Sequence, residues 1–295
     1  MTVVVGINGR MFPPEQAHVS VFDRGLLYGD SVFETLGTYG GRPFALSEHL
    51  QRLRRSAELV SIDIGVSDEV LAHEVGLALE RSGNPESYVR IIVTRGSGEL
   101  GLDPALAVDP QRIIIVTPLL RPAPEAYQRG VTAITEQTCR VTDATQAVGA
   151  KVSNYLVAVL AMRKARVVSA NEALIVDGAG QVIEGATSNL FYVRTGQLWT
   201  PSESVGILAG ITRSVVINAA GELGIPLAFG CVKVDELAGL DEIFITSSIR
   251  QMLSVVAVDG KTIGNGQPGP LYRRVFERFK AIVARDDPST RSTLA

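Results

Sequence analysis

The chain is poor in cysteine. Cys139 and Cys231 are its only two and stand far apart, outside any CxxC or Cys/His spacing. That argues against a disulfide framework and a structural zinc site, and predicts a reducing compartment. Histidine is scarce too: His18, His49 and His73 show no HxxxH spacing, so no metal is expected. There is no GxSxG elbow and no P-loop, which removes the common hydrolase and NTPase readings. Positive charge has no surplus, 28 Lys and Arg against 31 Asp and Glu, so no nucleic-acid partner is expected. Long apolar runs are missing as well. The start, MTVVVGINGRMFPP, lacks a basic n-region and is interrupted at Gly6, and Tyr155–Met162 falls far short of the roughly 20 residues a span requires. The expectation is a cytoplasmic protein with no membrane partner.

What is present is a large apolar reserve. At 46% apolar and 20% charged residues, the 295-residue chain can bury two cores. Val3–Ile7 reads as a strand turning at Asn8-Gly9, and Val32–Tyr39 as a strand closed by Gly40-Gly41. Ser47 is the expected cap of a helix with Leu50, Leu53 and Ala57 on one face, and Asp68–Ser82 reads as a second helix. Tyr88–Thr94 and Arg112–Leu119 are strand patterns. Leu120–Gly130, with Pro122 and Pro124, reads as a linker.

Beyond it the pattern restarts. Strands are expected at Val131–Thr138, Glu172–Val176, Leu190–Arg194, Gln197–Thr200, Glu242–Thr246 and Val255–Val258. Helices are expected at Asn154–Val168, Thr212–Leu223 and Leu271–Ala284, with a frayed polar tail from Asp286. The reading is α+β with two domains, 1–120 and 131–295, joined by 121–130.

One motif is misleading. Gly96-Ser97-Gly98-Glu99-Leu100-Gly101 matches GxGxxG after a strand. A dinucleotide site needs a helix directly behind the glycines and an acidic residue about 20 positions on. Here Leu102-Asp103-Pro104 follows, and the later region is Arg-Pro-Ala-Pro. A glycine-rich loop between strands is the better reading.

Four segments carry chemistry: VFDRGLLYGDSVFETLGTYGGRPFALSEHLQRLRRSA (Val21–Ala57), KVSNYLVAVL (Lys151–Leu160), Glu172–Arg213 with EALIVDGAGQVIEGATSNLFYV and GILAGITR, and DEIFITSSIRQMLSVVAVDGKTI (Asp241–Ile263). In this order they resemble the fold-type IV pyridoxal-5′-phosphate (PLP) enzymes, the class IV aminotransferases. The resemblance implies a smaller N-terminal α/β sandwich and a larger C-terminal pseudo-barrel domain. It also implies PLP as cofactor and Lys151 as the residue forming the Schiff base.

That cofactor needs an amine able to lose its proton. Lys151 lies between small and apolar residues, just before an apolar helix, where desolvation favours the neutral amine. A protonated pyridine nitrogen needs a carboxylate, and Glu184 matches the family's glutamate. Arg52 matches the phosphate arginine, while Gly210-Ile211-Thr212 opens a helix whose free N–H groups suit an anion. Ser247 matches the hydroxyl that also reaches the phosphate, Leu208 the apolar residue against the ring, and Tyr155 the partner of the phenolic oxygen. Ala209 departs from the proline often found there. Without the resemblance Lys151 reads as a snorkelling surface lysine and Glu184 as an edge charge.

Subfamily marks are mixed. Tyr88-Val89-Arg90, the loop Arg95–Pro104, Tyr28 and Phe33 resemble branched-chain aminotransferases. Thr35 and Thr246-Ser247-Ser248-Ile249-Arg250 look closer to aminodeoxychorismate lyases. The Arg-x-His carboxylate trap of D-amino acid aminotransferases has no counterpart after Gly96. The substrate set implied is Tyr28, Phe33, Thr35, Tyr88, Arg90 and Ser248. The expected reaction is ping-pong transamination from an amino acid, of the L series and branched-chain-like or glutamate, to a 2-oxo acid. The alternative is 4-amino-4-deoxychorismate lyase, releasing pyruvate and 4-aminobenzoate; D-amino acid and (R)-amine transaminases stand behind it. A non-catalytic PLP-binding protein is disfavoured because Lys151 and Glu184 are both present. The resemblance further implies a homodimer whose sites are completed by the partner's loop, with Gly96–Pro104 as the candidate.

Overall fold

The computed structural model describes residues 2–139 and 145–286. The chain forms two compact units, one of residues 2–120 with Thr145–Asn154, the other of 121–139 with 155–285. The polar tail expected to fray lies outside the described residues.

In the first unit β1 (Val4–Ile7) turns into β2 (Arg10–Phe12) through Asn8 (φ 48°) and Gly9 (φ 79°). Two consecutive positive φ values suit the right-handed twist of a hairpin, as the Asn-Gly pair predicts. A short helix α1 (Arg24–Tyr28) is capped by Asp23, whose Oδ1 accepts the Gly25 N–H at 2.8 Å. Then come β3 (Ser31–Tyr39), β4 (Arg42–Pro43), α2 (Leu46–Leu59), α3 (Asp68–Ser82), β5 (Ser87–Thr94), β6 (Ser97–Gly98), β7 (Ala107–Val108) and β8 (Arg112–Pro118). Six strands form an antiparallel sheet in the order β2-β1-β8-β5-β3-β4, and β6 pairs with β7 separately.

α2 and α3 cover one sheet face. Leu50, Leu53, Leu71 and Val75 pack there against Val32, Leu36, Val89 and Ile91, all 2% exposed or less. Burying each such side chain stabilises the fold by about 1.5–3 kcal/mol. α2 does not start as expected. Ser47 lies inside it, and the preceding residue at its start is Ala45, left-handed at φ 52° and without a side-chain cap. Leaving the β3–β4 hairpin requires that turn, and backbone geometry prevails over the better capping residue.

Strand alternation then sorts β3. Val32, Glu34 and Leu36 point under the helices, and Phe33 and Thr35 point to the other face. Residues 145–154, expected in the C-terminal domain, group with this unit because their end extends the sheet. Val32 bridges Val152, the Phe33 N–H donates to the Lys151 carbonyl at 3.0 Å, and the Ser153 N–H donates to Ser31 O at 2.9 Å.

The second unit also departs from expectation at its start. The supposed linker contains helix α4 (Pro124–Arg129), opened by a proline at its first turn. Its Tyr127 stacks on Phe276, centroids 5.7 Å apart, so apolar packing holds this stretch in the unit. There follow β9 (Val131–Gln137), α5 (Leu156–Val167), β10 (Glu172–Val176), β11 (Gln181–Gly185), β12 (Asn189–Arg194), β13 (Gln197–Thr200), α6 (Ile211–Glu222), β14 (Leu227–Phe229), β15 (Val232–Lys233), β16 (Glu242–Ser247), β17 (Gln251–Val258), β18 (Lys261–Thr262) and α7 (Pro270–Asp286).

One mixed sheet runs β14-β13-β12-β16-β17-β9-β10-β11-β15, with β18 beside β17. β10 is buried at all five positions and β16 at five of six, which explains the apolar runs Ala173–Val176 and Ile243–Ile245 behind their leading glutamates. Glu242, at the start of β16, caps α7: its carboxylate accepts the Leu271 and Tyr272 N–H groups at 2.8 and 2.7 Å.

Candidate active site

In the first unit, Lys151 sits opposite Phe33 and therefore shares the face of Phe33 and Thr35. Its Nζ lies 4.6 Å from the Phe33 ring centroid, and the Arg90 guanidinium lies 3.9 Å from the same centroid. β5 pairs with β3 so that Arg90 is level with Thr35 and Tyr88 with Gly37. Phe33, Thr35, Tyr88, Arg90 and Lys151 thus gather on one sheet face. Two cations over one aromatic ring form a positive, partly apolar surface, suited to a small anion with an apolar body.

Tyr28 ends α1. Its hydroxyl accepts the Gly101 N–H at 3.3 Å, and the Arg24 guanidinium lies 5.0 Å from its ring. Arg24 also donates to the carbonyls of Gly101 (2.8 Å) and Leu102 (3.3 Å), and to Asp30 (3.1 Å). Arg95 holds Asp30 through two bonds of 2.7 and 3.0 Å. Burial pushes the Asp30 carboxyl up, but the two guanidinium groups outweigh it and leave it below its ordinary value. The Gly96–Gly101 motif belongs to this loop. A Cβ on Gly96 would meet Val108 O at 2.1 Å, and one on Gly98 would meet Leu106 O at 1.9 Å. These two glycines serve close backbone approach in the β6–β7 ribbon, not a pyrophosphate.

Arg52 lies on the helix-covered side. Its Nε and Nη2 each donate to Glu34 at 2.7 Å, and His49 Nδ1 lies 2.7 Å from Glu34 Oε2. Burial alone would raise the Glu34 carboxyl. Arg52's charge and hydrogen bonds, helped by His49, overcome that and hold it at about 2. His49 is lowered, chiefly by burial, which outweighs the raising effect of Glu34 and leaves the ring neutral at pH 7. Sequence reasoning missed Glu34 and read His49 only as one of three histidines without metal-ligand spacing. The signal was there: Glu34 shares strand parity with Val32 and Leu36, and a carboxylate on a buried parity demands a cation within reach.

The second unit presents the other set. Glu184, 9% exposed, ends β11, and its Oε2 accepts the Leu208 N–H at 3.2 Å. The Leu208 carbonyl accepts from Asn189 Nδ2 at 2.9 Å, fixing the turn before α6. That helix begins at Ile211 behind Gly210, with no side-chain cap, so its first N–H groups are not closed off by a side chain of the cap residue. A Cβ on Gly210 would stand 1.8 Å from Asn189 Oδ1, so glycine is required for this approach. Thr212 is buried and Ile211 half-buried in the first turn. Tyr155 is the N-cap residue of α5. Ser247 and Ser248 are half-buried where β16 gives way to β17. Ser247 Oγ accepts the Arg250 N–H at 3.3 Å.

An amine beside a cation and an aromatic ring, and separately a carboxylate, an apolar plate and a glycine-opened helix start, define a cofactor enzyme of amine chemistry. Its similarity to known proteins says which kind. The amino-transferase class IV family profile matches residues 31–258. A putative branched-chain-amino-acid aminotransferase of Methanocaldococcus jannaschii is 38% identical over 276 residues, 94% of this chain and 95% of that one. The D-alanine aminotransferase of Bacillus licheniformis is 33% identical over 283 residues, 96% and 98% of the two chains. Among solved structures, the T.th. branched-chain amino acid aminotransferase complexed with N-(5′-phosphopyridoxyl)-L-glutamate superposes with a TM-score of 0.89 at 31% identity, covering 98% of this chain and 96% of that one.

The chain belongs to the class IV aminotransferases, with the two-domain fold-type IV architecture, and is a PLP-dependent transaminase acting on small amino and oxo acids. Its residues fit that cofactor. Gly210 lets Asn189 pack against the start of α6 and leaves that helix start without a side-chain cap, and the donor set offers an amine, a carboxylate, a hydroxyl and backbone N–H groups. Among the described residues, no helix is long and apolar enough to cross a membrane, and no group of His, Cys, Asp or Glu gathers as a metal site.

Proposed function

We propose that this enzyme transfers the amino group of an L-amino acid, branched-chain-like or glutamate, to a 2-oxo acid, with Lys151 as its catalytic base. The observation that carries the reading is the pairing of Lys151 Nζ with Arg90 on the Phe33 ring. An amino acid brings a carboxylate and an α-proton, and a guanidinium beside an amine can anchor one while the other takes its partner.

Bound PLP supplies a carbonyl carbon for amine exchange and an electron-withdrawing ring that accepts the electron pair left by the α-proton. Lys151 Nζ would be the amine that holds that carbon until a substrate amine displaces it, and the freed amine would then be placed to move the α-proton. Glu184 would keep a proton on the pyridine nitrogen, Tyr155 would donate to the phenolic oxygen and Leu208 would pack on the ring. The Ile211 and Thr212 N–H groups, Ser247 and Arg52 would hold the phosphate, with Glu34 bonded to both Arg52 and His49. Tyr28, Phe33, Thr35, Tyr88 and Ser248 shape the substrate's surroundings. Relatives bearing the branched-chain name support the substrate class.

The working enzyme is a homodimer in the cytoplasm. Val21, Phe22, Leu26, Leu100 and Leu102 are 52–79% exposed around α1 and the loop its Arg24 holds, apolar side chains that a second copy would cover. The loop Gly96–Pro104 is the segment offered to the partner. Both cysteines are free, in keeping with a reducing compartment.

The test follows the cofactor's visible absorption in purified enzyme given L-leucine, L-glutamate, D-alanine or (R)-1-phenylethylamine. Bleaching by the L-amino acids, abolished in Lys151→Ala, is the expected result. Bleaching only by D-alanine or the amine would move the substrate assignment to that class. No bleaching by any donor would return the lyase reading.

A further inference from the structure

Glu172 is fully buried, yet no role assigned above uses it. Its carboxylate lies at the start of β10 and draws three chain segments together within the second unit. Oε2 accepts from Arg250 Nη2 at 2.5 Å, from Ser188 Oγ at 2.9 Å and from Thr187 Oγ1 at 3.2 Å. Oε1 accepts the Ala173 N–H at 3.0 Å. Arg250 Nη2 donates to Thr187 Oγ1 as well, at 2.7 Å. A carboxylate withdrawn from water persists only when its charge is paired and its lone pairs are taken, and here both conditions hold.

Where those segments lead gives the network a purpose. Thr187 and Ser188 form the turn directly after Glu184. The Gly185 N–H donates to Ser188 O at 2.7 Å, and a Cβ on Gly185 would meet Ser188 Oγ at 2.2 Å and Glu172 Cδ at 3.1 Å. Arg250 closes the turn directly after Ser247 and Ser248, and its own N–H donates to Ser247 Oγ. The carbonyls of Ile249 and Arg250 are held in turn by Arg121 (3.2 Å) and Tyr127 (3.3 Å).

We propose that Glu172 and Arg250 are positioning residues for the cofactor: one buried ion pair fixes the turn behind Glu184 to the turn that carries Ser247, setting where the phosphate-side hydroxyl stands. The inference rests on the reading of Ser247 as a phosphate ligand. Arg250 is thereby the residue that gives the Thr246–Arg250 stretch its shape, rather than a contact to substrate.

The experiment titrates cofactor-stripped protein with PLP and, separately, with pyridoxal, which lacks the phosphate, following the absorption of bound cofactor. The proteins are wild type, Arg250→Met, Arg250→Lys and Glu172→Gln, each checked for fold by circular dichroism. Losing one charge-assisted hydrogen bond weakens binding by about 10- to 100-fold. PLP affinity is therefore expected to fall by that factor in Arg250→Met. Pyridoxal affinity should move by less than about threefold, because the loss is confined to the phosphate side. Arg250→Lys should recover part of the loss and Glu172→Gln should fall between. An unchanged ratio of PLP to pyridoxal affinity in folded Arg250→Met overturns the inference; if that protein does not fold, the same ratio in Arg250→Lys and Glu172→Gln decides. Equal losses for both ligands also overturn it, since they mark a merely structural role. Wild-type protein that fails to bind PLP would instead sink the functional reading on which the inference stands.

Discussion

Replacing Glu34 by glutamine removes a charge from the least exposed position of the first unit's network, and the structure sets both the size and the pH range of the effect. Glu34 is 0% exposed, with Arg52 at 2.7 Å on each oxygen. Its carboxyl lies at about 2 against an ordinary 4.5. That depression contributes about 3 kcal/mol of stability at neutral pH. The folded value is the lower one, so the contribution is complete well above 4.5 and disappears as the pH falls through about 2. Glu34→Gln leaves Arg52 buried without its counter-charge, a loss of about 3–5 kcal/mol at pH 7. The gap between wild type and variant should then narrow by about 0.8 kcal/mol at pH 4 and about 2 kcal/mol at pH 3. Urea unfolding of both proteins at fixed concentration, followed by circular dichroism at pH 7, 4 and 3, measures it. Carboxylates elsewhere are common to both chains and drop out of the difference. A gap that stays constant from pH 7 to pH 3 would refute the paired state of Glu34.

Two further outcomes concern close backbone approaches. Gly210→Ala drives a methyl into Asn189 Oδ1 and should cost about 1–3 kcal/mol, with weaker retention of PLP on dialysis; unchanged melting temperature and retention would show that the turn before α6 has room to give. Gly98→Ala forces β6 away from the Leu106 carbonyl, so limited proteolysis should cut within residues 96–108 faster than in wild type, and an unchanged cleavage rate would contradict the tight ribbon.

Much of the architecture was legible because it rests on local pattern. Asp68–Ser82, Glu172–Val176 and Gln197–Thr200 match their expected bounds, and each is a run whose periodicity agrees with its burial. The misses have tertiary causes. Pro122 and Pro124 read as a linker, yet Pro124 is tolerated at a helix start and Tyr127 has an aromatic partner about 150 residues away. Lys151 reads as part of the C-terminal domain behind it, whereas its segment pairs with residues more than 100 positions earlier. Glu172 and Arg250 could not be joined by spacing, being 78 residues apart. Motif likeness named the individual candidate residues. The buried carboxylates Glu34 and Glu172, which hold Arg52 and the Ser247 turn, emerge only from the packing.

The place of Lys151 in the chain has a consequence for how the enzyme is made. Its backbone N–H bonds Ser56, 95 residues earlier, and its carbonyl bonds Phe33. A growing polypeptide that has released residues 1–120 has every strand of the first sheet but not the edge segment that bears the amine. Closing so long a loop is entropically slow, and it must wait for translation to pass residue 154. Lys151 is therefore among the last parts of its unit to be fixed. Cutting the gene at residue 120 would yield a first fragment without its amine and a second fragment carrying that amine with no sheet edge to hold it.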